Sequence, residues 1–385
     1  MNNSRQKFPE RSGEGPRFAG TQTDIRLNRR NLLKMVAAGT AAAALPVYAR
    51  QPKEKRDNKS VAQTVLPRWR GFNLLDMFTM QSKGDFQEDD FRWMRDWGFD
   101  FVRLPMCYRL WIEDGDDYKI HEPMLEKLDR AVDIAGKYGI HVSLNFHRGP
   151  GYSVNREFTE PFNLWKDKEP LDAFCFHWQM LAKRYRGISR DKLSFDLINE
   201  PPSIGQSMSR ADHERVVRTA VAAIREINPN RIVIADGISW GNEPAPELAD
   251  LGIAQSTRAY QPMFVSHYMA SWVRGENFPM PAWPGHDWDR NRLEQHYQKW
   301  ADLAKKGVGV HCGEGGAYNK TPHKVVLVWL KDVLEILTDH GIGLALWNLR
   351  GSFGILDSGR KDVEYEEFHG HKLDRKLLEL LQEFE

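Results

Sequence analysis

Residues 193–201 read Leu193-Ser194-Phe195-Asp196-Leu197-Ile198-Asn199-Glu200-Pro201. A short, largely apolar run of strand length ends there in a carboxylate and then a proline. A carboxylate closing such a strand is costly to bury unless it has a partner or a task. Other short runs rich in β-branched and aromatic residues share the pattern, each ending in polar residues. They are Trp69–Leu75, Asp100–Met106, His141–His147, Arg231–Asp236, Gln255–Pro262, Val308–Glu314 and Gly343–Leu349. Between them, apolar residues spaced three and four apart predict helices, as in Met124–Tyr138, Leu171–Tyr185, Ala211–Ile227 and Lys324–Leu337. Gly98, Gly139, Gly307 and Gly341 stand just before strands, where a helix ends in a left-handed residue. Alternating strand and helix implies a parallel sheet. Eight repeats from residue 66 onward suit a single α/β domain, a closed (β/α)8 TIM barrel, better than an open doubly wound sheet. Gly71-Phe72-Asn73-Leu74 after the first strand is no phosphate loop, which argues against a dinucleotide fold.

The chain has 385 residues, 41% of them hydrophobic, enough for a substantial core and too many for a disordered or collagenous chain. Three cysteines, Cys107, Cys175 and Cys312, cannot make a disulfide framework, and no Cys-x-x-Cys pair offers a zinc or redox motif. No His-Glu-x-x-His pattern occurs. No metal is therefore expected, and no cofactor is called for. Residues 50–385 hold 46 basic and 50 acidic residues, a net charge of −4, which argues against a nucleic-acid partner.

The N-terminus reads as an address. Asn28-Arg29-Arg30-Asn31-Leu32-Leu33-Lys34 precedes a weakly apolar run, Met35–Leu45, and a small-x-Ala exit at Val47-Tyr48-Ala49. That order describes an export peptide, and the paired arginines mark the twin-arginine kind. About eleven apolar residues fall well short of the ~20 that span a bilayer. Residues 1–49 are thus expected to be a cleaved signal with a long polar head, 50–65 a charged linker, and 66–385 the (β/α)8 domain. The mature protein is expected to be a monomer, periplasmic or secreted, with no membrane partner.

In such a barrel the C-terminal strand ends and the loops beyond them form the working face. Those ends carry Arg103, His147, Asn199, Glu200, Tyr260, Glu314 and Trp347. A purely structural barrel needs none of them at one mouth. Two carboxylates flanking a bond are what retaining glycoside hydrolysis requires: one protonates the leaving oxygen and the other attacks the anomeric carbon. At these residues the chain resembles glycoside hydrolase family 5, and its cellulase-type branch in particular. The resemblance covers residues 66–384. Its markers are Phe101-Val102-Arg103-Leu104-Pro105, Asn145-Phe146-His147-Arg148-Gly149-Pro150-Gly151-Tyr152, Asn199-Glu200-Pro201, Cys312-Gly313-Glu314-Gly315-Gly316, Trp347, and the tail Gly351–Ser358.

The resemblance implies Glu200 as acid/base and Glu314 as nucleophile, about 5–5.5 Å apart. It implies a substrate-binding set of Arg103, His147, Asn199, Tyr260, His267 and Trp347. Arg103 would donate to Glu314, Asn199 would meet the sugar 2-hydroxyl and His147 the 3-hydroxyl, and Trp347 would floor the site. Partial burial and the Glu314 charge should raise the pKa of Glu200.

The family usually carries His-x-Tyr on the sixth strand. Two registers are open here: His267-Tyr268, or Tyr260-Gln261-Pro262 followed by a rim loop from Ser266 to Trp272. The second matches more residues and is preferred; it puts Arg258 in place of the histidine. Gly315, where many relatives have Phe, is expected to open one side of the cleft. Trp93, Trp97, Trp178, Trp300 and Trp329 fall on helical stripes and read as core. Trp111, Trp165, Trp240, Trp272 and Trp283 fall in loops and are candidate sugar platforms. The expected function is an exported retaining glycosidase of β-glucan, β-1,4 linkages favoured. A β-mannanase or a β-1,3-glucan or oligosaccharide glycosidase is the alternative. A non-catalytic carbohydrate-binding barrel would be marked by loss of one carboxylate, and both are present.

Overall fold

The computed structural model describes residues 64–155 and 159–384; the expected export peptide and residues 50–63 lie outside them. Thr64 already belongs to the folded body. It bridges to Val308 and its Oγ1 donates to the Gly252 carbonyl at 2.7 Å.

All eight expected strands form: β1 (Gly71–Asn73), β2 (Phe101–Cys107), β3 (His141–Gly149), β4 (Leu193–Asp196), β5 (Ile232–Asp236), β6 (Ala254–Ala259), β7 (Val310–Gly315) and β8 (Leu344–Leu346). Each pairs in parallel with the next, and β8 pairs with β1, so the sheet closes into a barrel. Helices α1 (Glu88–Asp96), α2 (Glu122–Tyr138), α3 (Lys168–Arg184), α4 (Arg210–Ile227), α5 (Arg290–Lys305), α6 (His323–Asp339) and α7 (Arg375–Gln382) cover it. The boundaries follow local chemistry. Gly139 caps α2 at φ 69°, and a Ser209–Asp212 capping box opens α4. Gly98, Gly307 and Gly341 also sit at positive φ.

Period-two alternation along the strands divides the interior. Val102, Leu104, Met106, Val142, Leu144, Phe146, Phe195 and Val233 join the large apolar cluster between sheet and helices. On the opposite face, Trp69, Phe101, Ile232, Ile234, Ala254 and Ala345 make a separate apolar plug low in the barrel. Gly71 is required at that level, since a Cβ there would lie 1.7 Å from the Phe101 carbonyl oxygen. Above the plug the inward positions turn polar: Asn73, Arg103, Asn145, Asp196, Asp236, Ser256 and Arg258 are all buried. That polar layer carries the mouth.

Candidate active site

Glu314 reaches the mouth because β7 breaks its own alternation. Cys312 pairs with Thr257, but Glu314, not Gly313, pairs with Arg258. The extra residue is a bulge, a device that re-aims a side chain. Strict alternation from outward-facing Cys312 would send Glu314 out towards the helices. Only glycine fits the bulge, because a Cβ at Gly313 would meet Ser256 Oγ at 2.7 Å and Arg258 Nη1 at 3.1 Å. Re-aimed, the Glu314 carboxylate accepts from Arg103 Nη1 at 2.6 Å and from the Tyr260 hydroxyl at 3.0 Å, with Arg258 Nη2 3.5 Å away.

Glu200 comes from the other side of the barrel. Regular β4 ends at Asp196, four residues short of the run expected from sequence, and the chain continues by bonding alternately to its neighbours. Leu197 N donates to the Ile234 carbonyl and Asn199 N to the Phe146 carbonyl. Glu200 itself adopts φ 50°, a left-handed conformation that costs a non-glycine residue about 1–2 kcal/mol. Both flanks of that residue are clamped. Its N–H donates to Asp236 Oδ2 at 2.8 Å, and its carbonyl accepts from the Tyr152 hydroxyl at 2.6 Å. The side chain accepts from Arg258 Nε at 3.2 Å. Burial, and then the Glu314 charge, push its pKa from 4.5 up to about 8, with Arg258 pulling the other way. One guanidinium therefore lies against both carboxylates.

At the mouth four carboxyl groups (Asp196, Asp236, Glu200 and Glu314) face two guanidiniums, Arg103 and Arg258. Burial opposes the charge of each arginine, but the surrounding carboxylates outweigh it and hold both firmly protonated. Breaking one partner of such a buried pair costs on the order of 3–5 kcal/mol. Arg103, expected among the substrate-binding residues, is saturated by protein. Nε goes to Asp196 at 2.7 Å, Nη1 to Asn73 at 3.1 Å and to Glu314, and Nη2 to Asn199 at 2.8 Å. It is buried and aims other side chains rather than a ligand.

The remaining predicted residues gather around this centre. Asn199 Oδ1 accepts from both arginines, while its Nδ2 has no protein acceptor. His147 stacks on Trp347 at 5.6 Å, and Phe78 packs edge-on against both rings. Burial, then the charges of Arg103 and Arg258, drive the His147 pKa far down, so the ring is neutral. Tyr260, not Tyr268, holds Glu314, which settles the sixth-strand register in favour of Arg258 on β6. His267 packs edge-on to Tyr260 at 4.9 Å, and its Nδ1 meets Ser266 Oγ at 2.8 Å. Burial lowers its pKa to about 4 although the Glu314 charge pulls upward.

Residues 57–352 match the family described as Cellulase (glycosyl hydrolase family 5). The chain belongs to glycosyl hydrolase family 5. Among characterised relatives of this family, endoglucanase C of Acetivibrio thermocellus is 26% identical over 334 residues, 77% of this chain and 95% of its own. Cellodextrinase A of Ruminococcus flavefaciens is 26% identical over 274 residues, 66% of this chain and 76% of its own. A crystal structure of a glycoside hydrolase superposes with a TM-score of 0.78 at 40% identity, covering 82% of this chain and 99% of that one. The protein is an O-glycosyl hydrolase on the (β/α)8 barrel of its family.

Three expectations for this family-5 chain need correction. Trp111 and Trp165 are no platforms: both are fully buried, Trp111 bonding His177 at 3.2 Å and Trp165 packed on Tyr152 and His213. Their loops are folded back as core. Trp240 and Trp272 do stand exposed, at 45% and 55%. Gly315 does not open the cleft, since a Cβ there would strike Ala259 Cβ at 2.7 Å and Leu344 Cδ1 at 2.9 Å, away from the mouth. Asp196, Asp236 and Tyr152 carry the site without having been singled out for it. The signal for the first two is present: ionisable residues at inward positions of otherwise apolar strands. His369 and His371, a His-x-His spacing, are engaged with Trp93 and with Asp357 and Arg350. Among the described residues no group of three His, Cys, Asp or Glu could hold a metal ion.

Proposed function

We propose that this glycosidase is exported by the twin-arginine route and cleaves β-1,4-linked glucan with retention, by double displacement. Glu200 is the acid/base and Glu314 the nucleophile. The observation that carries this reading is the division of labour at the mouth. Three donors converge on Glu314, as suits an attacking carboxylate, whereas Glu200 is held protonated up to about pH 8. Asn199 Nδ2, with no protein acceptor, is the donor for the sugar 2-hydroxyl, and neutral His147 stands beside Trp347 to meet the 3-hydroxyl.

Two exposed indoles fit the reading. Trp240 follows the acid side, its backbone N–H donating to the Pro201 carbonyl at 2.9 Å, and Trp272 adjoins His267, Tyr318 and Phe353 on the nucleophile side. Flat apolar faces on either side of the carboxylates suit a chain of pyranose rings. Glucan is favoured because the relatives named endoglucanase and cellodextrinase share most of this chain's length. Export rests on Arg29-Arg30 and the small-residue exit at Val47-Tyr48-Ala49.

The test uses the chain from residue 50, defined β-1,4-glucans, β-1,3-glucans and mannans, product sizing, and NMR of the first-formed anomer. A retained anomer from β-1,4-glucan is expected. Glu200→Ala and Glu314→Ala should each lose activity by orders of magnitude, and azide should rescue the Glu314 variant. Near-normal hydrolysis by either variant, or an inverted product, sinks the mechanism; mannan cleavage without glucan cleavage sinks the substrate. Arg29→Lys with Arg30→Lys should leave the chain in the cytoplasmic fraction.

A further inference from the structure

Arg258 occupies the position at which the family pattern carries a histidine, and its contacts give the exchange a task. Its guanidinium touches both acidic residues of the mouth, Glu200 Oε1 at 3.2 Å through Nε and Glu314 Oε1 at 3.5 Å through Nη2. Arg103 is bonded to Glu314 and not to Glu200 among the described bonds. Arg258 is also held still. Asp236 takes Nη1 at 3.0 Å and Nη2, Ser256 Oγ takes Nη1 at 2.8 Å, the Thr257 carbonyl takes Nη1 at 3.0 Å, and Asn199 Oδ1 takes Nη2 at 2.9 Å. Gly241, at φ 75°, lies so close to the arginine stem that a Cβ would come within 2.5 Å of its Cγ.

We infer that Arg258 is a positioning residue for the second half of the reaction: a stationary cation that stays paired while negative charge passes from Glu314 to Glu200. The inference rests on the double-displacement reading. In the first step Glu314 forms an ester to the anomeric carbon, the bond to the leaving oxygen breaks, and that oxygen takes the Glu200 proton. The charge on Glu314 is now spent, and Glu200 carries one. In the second step a water oxygen bonds the anomeric carbon, its proton goes to Glu200, and the ester electron pair returns to Glu314. The site's total charge is the same before and after each step. Arg103 is hydrogen-bonded to the charge only while it is on Glu314. Arg258 serves it at both places without moving, so it keeps Glu200 ionised in the ester intermediate, where a base is needed. A neutral histidine at this position could not.

The groups acting on Glu200 are Glu314 from β7, Arg258 from β6, Asp236 from β5 and Arg103 from β2. Of these, Glu314 is silenced by esterification, Asp236 repels, and the arginines attract. Removing Arg258 must therefore shift the base limb of the second step to higher pH.

The test uses 2,4-dinitrophenyl β-cellobioside, whose leaving group needs little protonation, so that the second step limits turnover. Arg258→Gln combined with Asp236→Asn removes one cation and one anion together, and the new amide oxygen can still accept from the Glu200 N–H. The expected result is a stoichiometric burst of dinitrophenolate and a steady-state kcat lower by roughly 10–100-fold, less than the ~10²–10⁴-fold a base contributes because Glu200 itself is still present. The acidic limb of kcat should still move to higher pH, because Arg258 acts on Glu200 more strongly than the Asp236 removed with it, and azide, which needs no base, should restore turnover. Loss of rate without a burst, an unmoved acidic limb or indifference to azide overturns the inference. If the double variant fails to fold, Arg258→His, which puts the residue of the family pattern there and removes the permanent charge, is judged by the same three readouts. Failure of the underlying mechanism is seen separately, in the unmodified enzyme, as an inverted product or the absence of a trappable ester on Glu314.

Discussion

Glu200→Gln should make the protein more stable, by an amount that grows with pH. The folded chain holds the Glu200 proton up to about pH 8, against 4.5 ordinarily, through burial first and the Glu314 charge second. Between those values the folded state binds more protons than the unfolded state, so the stability of the unmodified protein falls as pH rises through that window. Below it the two proteins should match; above it the penalty is complete. At 1.36 kcal/mol per unit the gap is worth about 5 kcal/mol at most. Proton sharing between two interacting carboxyl groups reduces this, leaving about 2–5 kcal/mol. Gln keeps an acceptor for Arg258 Nε and carries no charge, so it reproduces the protonated acid at every pH. For a domain of roughly 320 residues, an unfolding entropy of ~2.1 cal/mol/K per residue converts that range into about 3–7 °C. Scanning calorimetry at pH 5, 6.5 and 8 should show the Tm difference opening from near zero to that size. A difference that is constant with pH, or of opposite sign, would refute the reasoning.

Gly313→Ala should lower kcat more than tenfold and destabilise by about 1–3 kcal/mol, because its Cβ invades Ser256 Oγ and Arg258 Nη1. Kinetics and denaturant unfolding check it, and a fully active variant would mean that the bulge does not aim Glu314. Tyr152→Phe removes the hydroxyl that holds the Glu200 carbonyl at 2.6 Å. It should cost about 1 kcal/mol of stability and lower kcat with KM nearly unchanged, a split that steady-state kinetics reads directly. Trp165→Ala should destabilise by about 3–5 kcal/mol, whereas exposed Trp240→Ala should raise KM and leave Tm within a degree or two. The reverse pattern would mean that burial misassigns the two indoles.

The barrel was legible because its signal is redundant. Each strand run ends in polar residues and each helix shows the three–four spacing, so an error of a few residues at Leu193–Glu200 leaves the topology intact. Glu200, Glu314 and Tyr260 were legible through their neighbours in sequence. Asp196 and Asp236 were not singled out, because the task of a buried carboxylate depends on which arginine the closed sheet puts opposite it, and closure is not written locally. The bulge at Gly313 is hidden for the same reason: Cys312-Gly313-Glu314 looks the same with or without an extra residue in the pairing. Trp111 and Trp165 were misread because a loop in sequence can fold back and fill core in space. Trp240 and Trp272, in loops of similar composition, do face solvent.

The split of the barrel interior into an oily floor and an ionic ceiling makes the protein's tolerance of change one-sided. Substitutions among Trp69, Phe101, Ile232, Ile234 and their neighbours will register as lost folding, since those groups do nothing but exclude water. Substitutions a few residues further along the same strands will register as lost turnover, and some will make the molecule sturdier. A laboratory selecting only for heat resistance would therefore be drawn towards the ceiling, and would harvest robust, inert proteins.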